Sequence, residues 1–387
     1  MSIAILYNPE IQNYDFGLGH AFRGDRFVSF FQAYQDVFGA DRDFQVIRHE
    51  ELAWDEDLRL LHTADYINIL KAASLADEEP DDLSWPFLGY ANRSEWGPKV
   101  GPSRQSLSVY VSQDNLDPAT GRLPAGIEKA ARAVVKNSML AVDTVQQGRA
   151  EKAVGIGGGL HHAKAGYGEG FCIYNDVVIA GRHARKAYGL ERILILDTDA
   201  HAGNGTCEAF YDDPRVLYID LHQAGIYPGT GAVEEIGSGA GKGFTVNVPL
   251  VSGTGDGDYE RIFDEIILPL AREFQPQLII RYGGSDPHFA DSLTSLGLTM
   301  AGFEMIGAKM RHLAGELCGG RCVDLLCSGY TPEILPRAWL SLIAGLSGKT
   351  IQWPQPLSEP VYQRAAETEA VIRQVKKILQ PYWKCMA

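Results

Sequence analysis

Arg192-Ile193-Leu194-Ile195-Leu196-Asp197-Thr198-Asp199-Ala200-His201-Ala202-Gly203-Asn204-Gly205 is the stretch on which the fold turns. Its first part is a short run of aliphatic residues, which predicts a buried strand over Arg192–Leu196. The run ends abruptly in ionisable groups. In extended backbone, residues two apart point to one side. Asp197, Asp199 and His201 are therefore expected to converge at the end of the strand, as half of a metal site. Gly-Asn-Gly then lets the chain turn away sharply. A solvated, polar strand end is the plain alternative, but it leaves three ionisable groups after Ile-Leu-Ile-Leu as an accident.

Outward from this stretch the same alternation continues. Strands are expected at Ala153–Ile156, Val216–Asp220, Phe244–Val248, Leu278–Tyr282 and Cys322–Cys327, and the N-terminus through Tyr7 reads as a first strand. Helices are expected at Asp25–Val37, Gly126–Gln146, Asp176–Tyr188, Asp258–Phe274, Thr299–Leu317, Pro332–Leu346 and Pro360–Leu379. Within Gly126–Gln146, Ile127, Ala130, Ala131, Val134, Val135, Met139 and Val142 recur near the helical period. Strands alternating with helices predict an α/β fold, a central mainly parallel sheet with helices on both faces. Ligands bind such sheets beyond the carboxyl ends of the strands. No repeat or low-complexity linker divides the chain, so residues 1–387 read as a single domain. The Pro-, Ser-, Trp- and Gly-rich stretch 78–118 reads as a long loop insertion near the site entrance.

Composition narrows the function. The chain has 35 basic and 49 acidic residues and a net charge of −14, with no basic patch, which argues against nucleic acid. An acidic enzyme can attract cationic substrates, although solubility explains the charge as well. No run of ~20 apolar residues marks a membrane span, and the N-terminus lacks the pattern of a signal peptide. The chain is expected in the cytoplasm, and a homo-oligomer is compatible with it. The six cysteines fit no finger or disulfide spacing and suit a reduced compartment.

Three further loops follow predicted strands. Gly283-Gly284-Ser285-Asp286 places an aspartate past Leu278–Tyr282, either as a third metal ligand or as a turn residue before Pro287. Gly157-Gly158-Gly159-Leu160-His161-His162 places two histidines past Ala153–Ile156, able to reach a metal-bound water or simply solvated. Ser328-Gly329-Tyr330 follows Cys322–Cys327; the tyrosine either packs or turns its hydroxyl into the same crevice. Gly348-Lys349-Thr350 imitates the end of a phosphate loop, but Ile343 stands where that loop needs glycine.

Taken in order, these pieces resemble the zinc-dependent histone deacetylase family of the arginase/deacetylase fold, which includes bacterial acetoin-utilisation proteins and acetylpolyamine amidohydrolases. The resemblance covers nearly the whole chain. It also rests on Tyr14-Asp15-Phe16-Gly17-Leu18-Gly19-His20, Leu61-His62-Thr63-Ala64-Asp65-Tyr66-Ile67 and Gly170-Phe171-Cys172-Ile173-Tyr174-Asn175-Asp176. Tyr227-Pro228-Gly229-Thr230-Gly231 and Asn247-Val248-Pro249-Leu250 extend it. It implies that Asp199, His201 and Asp286 hold a zinc ion, with Fe2+ or Co2+ as chemically acceptable occupants. By the same resemblance His162 is the general base and acid, His161 its electrostatic partner, and Tyr330 the hydroxyl that polarises the substrate carbonyl. Asp197 would orient His161, and Asn204 would orient His162. Phe171 and Tyr227 would wall an acyl-lysine tunnel, with Leu293 beside it and Asp114 as a rim carboxylate. A structural potassium ion is implied at Asp197, Asp199, His201, Asp220 and Leu221.

The sequence departs from the family at several points. Asn204 stands where many members carry Asp, Asp220 where Ser is frequent, and Asp291-Ser292-Leu293 where Asp-Pro-Leu is usual. The expected activity is deacetylation of N-acetyl-lysine in a protein or peptide. An acetylated polyamine is the alternative substrate, and a metal-binding scaffold without catalysis the remote one.

Overall fold

The computed structural model describes residues 3–74, 107–353 and 361–387. Among them, eight strands form one sheet: β1 Ile3–Tyr7, β2 Phe44–Arg48, β3 Lys152–Ile156, β4 Ile193–Asp197, β5 Val216–Gln223, β6 Thr245–Leu250, β7 Leu278–Gly283 and β8 Cys322–Leu326. Their order is β2-β1-β3-β8-β7-β4-β5-β6 and every pairing is parallel. The expected strands are present, shifted by a residue or two at their ends, except that β5 runs three residues past Asp220, to Gln223. The edge strand β2 was not foreseen. Only its first residue, Phe44, is buried; Val46 is exposed, and the strand is too short for its Phe-Gln-Val-Ile-Arg to show a clear alternation.

All residues of β3, β4, β7 and β8 are buried. Alternation still sorts them by face. Ile193 and Ile195 pack with Tyr218, Ile280 and Val323, whereas Leu194 and Leu196 pack with Ile219, Ile279 and Leu326. Helices cover both faces, as a fully buried parallel sheet requires. The Ile127–Gln146 helix lies against β3 and against the Asp176–Tyr188 helix.

Three helices differ from expectation. Asp258–Phe274 is observed as Asp256–Ile262, a wider π turn over Phe263–Ile267, and Leu268–Phe274. Pro269 explains the widening, because its ring and missing N–H disrupt the regular ladder one turn back. The Pro332 helix starts at Leu335, after Thr331 O has closed a turn on Ile334 N and Leu335 N. The C-terminal helix starts at Ala365: Arg364 N and Nε donate to Asp258 and Ser252 O instead. Pro360, its expected start, lies outside the described residues, as do residues 78–106 of the expected entrance loop. Residues 107–118 are described, and there Asn115 Nδ2 donates to Cys172 O while Asp114 O lies 3.0 Å from His20 Nε2. No described helix is long and apolar enough to cross a membrane.

His62 ties the fold to the loops above the sheet. It is buried, and its Nε2 accepts the Asn175 N–H at 3.0 Å. Asn175 in turn caps the Asp176–Tyr188 helix and donates to His161 O and Ala163 O. Burial pushes the His62 pKa down to about 3. The unfolded chain, near 6.5, therefore binds a proton that the fold refuses. This contribution is intact above pH 6.5 and is lost as pH falls towards 3, by up to about 1.4 kcal/mol per pH unit. Thermal unfolding of a His62→Gln variant, which keeps an acceptor but does not titrate, should show a flatter decline from pH 6.5 to 4.5. An unchanged decline would assign the acid sensitivity to other groups.

Candidate metal centre and catalytic cleft

β3, β8, β7 and β4 are neighbours at the middle of the sheet. Their carboxyl ends deliver, side by side, the His161-His162 loop, Ser328-Gly329-Tyr330, Gly284-Ser285-Asp286 and the Asp199-His201 turn. The β7 and β4 loops approach so closely that only glycine fits at 283. Its φ is +133°, and a Cβ there would lie 2.7 Å from Asp199 N.

Asp199, His201 and Asp286 each turn a ligand atom to a common point, all within 4.8 Å of one another. His201 Nδ1 lies 3.1 Å from both Asp199 Oδ1 and Asp286 Oδ2. Ser328 Oγ donates to Asp286 Oδ1 at 2.7 Å, which leaves Oδ2 facing the histidine. His201 N donates to Asp199 Oδ1 at 2.8 Å. Burial opposes the charged imidazole, but hydrogen bonds to both carboxylates outweigh it and push the His201 pKa up to about 10. Burial, then the Asp199 charge, also pushes the Asp286 pKa up to about 8, so the crowded group retains protons, and a divalent cation would take their place. Two carboxylate oxygens and one imidazole nitrogen suit Zn2+, Fe2+ and Co2+.

The two histidines stand beside this group with opposite electrostatics. His161 Nδ1 donates to Asp197 Oδ2 at 2.9 Å. Burial works against its charge, but Asp197 and Asp199 prevail and push its pKa up to about 9. His162 Nδ1 lies 2.8 Å from Asn204 Oδ1. Burial, then the charges of His161 and His201, hold its pKa well below the ordinary value. The Nε2 atoms are 3.1 Å apart, so protonated His161 donates to neutral His162. The arrangement supplies one cation and one free base within a single buried pair.

A narrow cleft is lined by His161, His162, Phe171, Asp199, Ser328 and Tyr330. The Tyr330 ring lies 6.3 Å from that of His201 and 5.9 Å from that of Phe171. Burial, then Asp286 and Asp199, hold its hydroxyl firmly protonated, as a hydrogen-bond donor must be. Tyr227 packs edge-on to His162 at 5.1 Å and is 43% exposed, and Leu293 is 45% exposed. The Asp291 carboxylate accepts both Leu293 N and Tyr330 N, linking that rim residue to the tyrosine. Asp114 accepts the Gly170 N–H with one oxygen and the Ser112 hydroxyl with the other, so part of its capacity is spent within the chain.

Asp197 and Asp220 are register partners on β4 and β5, and Leu221 follows directly. Burial, then the Asp220 charge, raises the Asp197 pKa to about 7. Tyr218 hydroxyl and Gly203 N donate to Asp220 Oδ2, and His222 Nδ1 lies 2.8 Å from Oδ1. Two buried carboxylates across one strand gap suit a monovalent cation.

The sequence reading missed several supporting residues. Ser328 reads in the sequence only as part of a turn, yet it orients Asp286. Glu169 accepts the Asn204 amide at 2.8 Å. Arg281 donates through Nε and Nη2 to Thr198 Oγ1, between Asp197 and Asp199, and through Nη1 to Asp324. A charged residue inside the Leu278–Tyr282 run was the available signal, since buried charge is rarely unpaired.

A parallel sheet that carries a candidate Asp-His-Asp metal site beside a histidine pair fits the hydrolases that act on acetylated amides. Residues 20–346 match the histone deacetylase domain, and the chain belongs to that family. It is 44% identical over 234 residues to a probable deacetylase of Archaeoglobus fulgidus, a match covering 58% of this chain and 65% of that protein, just under two thirds of its length. It is 33% identical over 346 residues to the acetoin utilization protein AcuC of Bacillus subtilis, covering 89% and 81% of the two chains. The crystal structure of the HDA15 HD domain superposes with a TM-score of 0.79 at 25% identity, covering 100% of this chain and 98% of that one.

Proposed function

We propose that the chain is a metal-dependent deacetylase that hydrolyses the amide of N-acetyl-lysine. The observation that carries this reading is the shared cleft: a neutral base, a protonated partner and a phenolic donor face the Asp199-His201-Asp286 set. A divalent cation held there would polarise the substrate carbonyl and acidify a water. Two carboxylate ligands blunt that acidification, so a positioned base must take the water's proton. His162 Nε2 accepts it and, once protonated, gives it to the departing amine. His161 and Asp197 hold the pair in place, and Tyr330 donates to the developing oxyanion. Phe171, Tyr227 and Leu293 would flank an extended acyl-lysine chain, with Asp114 near the rim. A potassium ion at Asp197, Asp199, His201, Asp220 and Leu221 would neutralise the charge beneath the site. Residues 1–387 would act as one cytoplasmic catalytic domain.

Acetylated polyamines are the competing substrate, favoured by the net charge of −14. The deciding assay presents zinc-loaded protein with an acetyl-lysine peptide, longer acyl-lysine peptides and acetylated polyamines. Faster turnover of the acetyl-lysine peptide is expected, abolished by chelation and restored by metal. Faster polyamine turnover would reassign the substrate, and no turnover of any compound by metal-loaded protein would overturn the enzymatic reading.

A further inference from the structure

The base of the proposed reaction is held by a neutral amide, and an amide has two faces. Asn204 Oδ1 lies 2.8 Å from His162 Nδ1, and Asn204 Nδ2 lies 2.8 Å from Glu169 Oε1. In this orientation the amide oxygen accepts the Nδ1 proton, and Nε2, which accepts from His161, carries no proton of its own. Rotated by half a turn, the amide would offer its NH2 group to Nδ1. His162 would then carry its proton on Nε2, where the base must be bare. An aspartate at this position would have no such second face, because a carboxylate only accepts.

The His161 Nε2–H, 3.1 Å from His162 Nε2, favours the Nδ1–H form from one side; on the other side the amide itself must be held, and Glu169 is placed to do so. Its carboxylate accepts from Nδ2 and would oppose the amide oxygen after rotation. Lys164 pairs with it at 3.2 Å, and the Glu169 side chain is only 17% exposed. The loop lies directly against the histidine, and Gly170 N donates to Asp114. Gly170 has φ +60°, and a Cβ there would lie 2.2 Å from His162 Cδ2. The turn that carries Asn204 is tied to the histidine loop two residues on, where Thr206 N donates to His161 O at 3.0 Å.

We propose that Glu169 is a positioning residue that locks the Asn204 amide and, through it, the Nδ1–H tautomer of His162. The chain His162–Asn204–Glu169 also ends in a carboxylate, so it returns to the histidine part of the polarisation that an aspartate in place of Asn204 would give directly. The inference rests on reading His162 as the base.

The test is a double-mutant cycle on zinc-loaded protein, with two readouts. The first is the nitrogen NMR signature of His162 without substrate, which needs no activity. The second is kcat against KM. Glu169→Ala should shift His162 towards the Nε2–H form and lower kcat about 10- to 100-fold, with KM little changed. Glu169→Gln, which keeps an acceptor, should restore most of both. In an Asn204→Asp background the sign reverses: the introduced carboxylate and Glu169 repel, so Glu169→Ala becomes neutral or favourable. A fully Nδ1–H His162 in Glu169→Ala, or equal losses in both backgrounds, overturns the proposal. A tautomer shift in protein that cleaves no acetyl amide would leave the proposal standing and remove the deacetylase reading instead.

Discussion

His162→Ala is expected to lower turnover of an acetyl-lysine peptide about 10²- to 10⁴-fold while bound metal stays near stoichiometric. The magnitude follows from what the imidazole does. It is the cleft's buried imidazole whose pKa is held low, with an Nε2 that carries no proton, whereas Asp197 and Asp199 raise that of His161. His161 cannot substitute as base, because its proton already points at the vacated position from Nε2. The metal set should survive, because His162 donates to none of its three residues and its ring centre lies 6.2 Å from that of His201. Metal content by atomic absorption, measured beside kcat, separates the two effects. Retained turnover would remove His162 from the role of base, and lost metal would show that it supports the ligand set.

The residues of this site were legible in the sequence to the extent that each follows a strand. Period two brings Asp197 and Asp199 to one end, and a run such as Leu278–Tyr282 announces that Asp286 comes next. What the sequence does not carry is lateral order. β7 and β4 are adjacent although Ile195 and Ile280 are far apart in the chain, so the meeting of Asp286 with Asp199 came from resemblance and not from spacing. The same holds for contacts between loops. Glu169 precedes a recognised motif by one residue, but its bond to Asn204 depends on two loops closing over His162. Short edge elements were hardest to see: β2 has five residues, of which Phe44 is the one buried, and it lay unmarked. Helix ends moved where a side chain or proline claimed the first turn, as at Arg364 and Pro269.

Arg281→Met is expected to destabilise the protein by about 3–5 kcal/mol, the usual cost of breaking one side of a buried ion pair. Arg281 and Asp324 are both 0% exposed and face each other in register across β7 and β8, with Nη1 2.9 Å from Oδ1. Among the described residues Asp324 Oδ2 has no hydrogen-bond partner, so the carboxylate depends heavily on the guanidinium. Burial already raises its pKa, against the pull of Arg281. Replacing both, with Arg281→Met and Asp324→Leu, should recover most of the loss, because an apolar pair of similar volume needs no charge compensation. The double variant should not recover the metal site fully. Thr198 would still lack both guanidinium donors, and Thr198 lies between Asp197, the partner of His161, and Asp199, a candidate metal ligand. Denaturant unfolding should therefore show the double variant near wild type, while competition with a chelating dye shows its zinc affinity still lowered. Equal recovery of both would mean that Arg281 serves only to balance Asp324. A single variant losing less than about 1 kcal/mol would mean that Asp324 takes up a proton as its partner leaves.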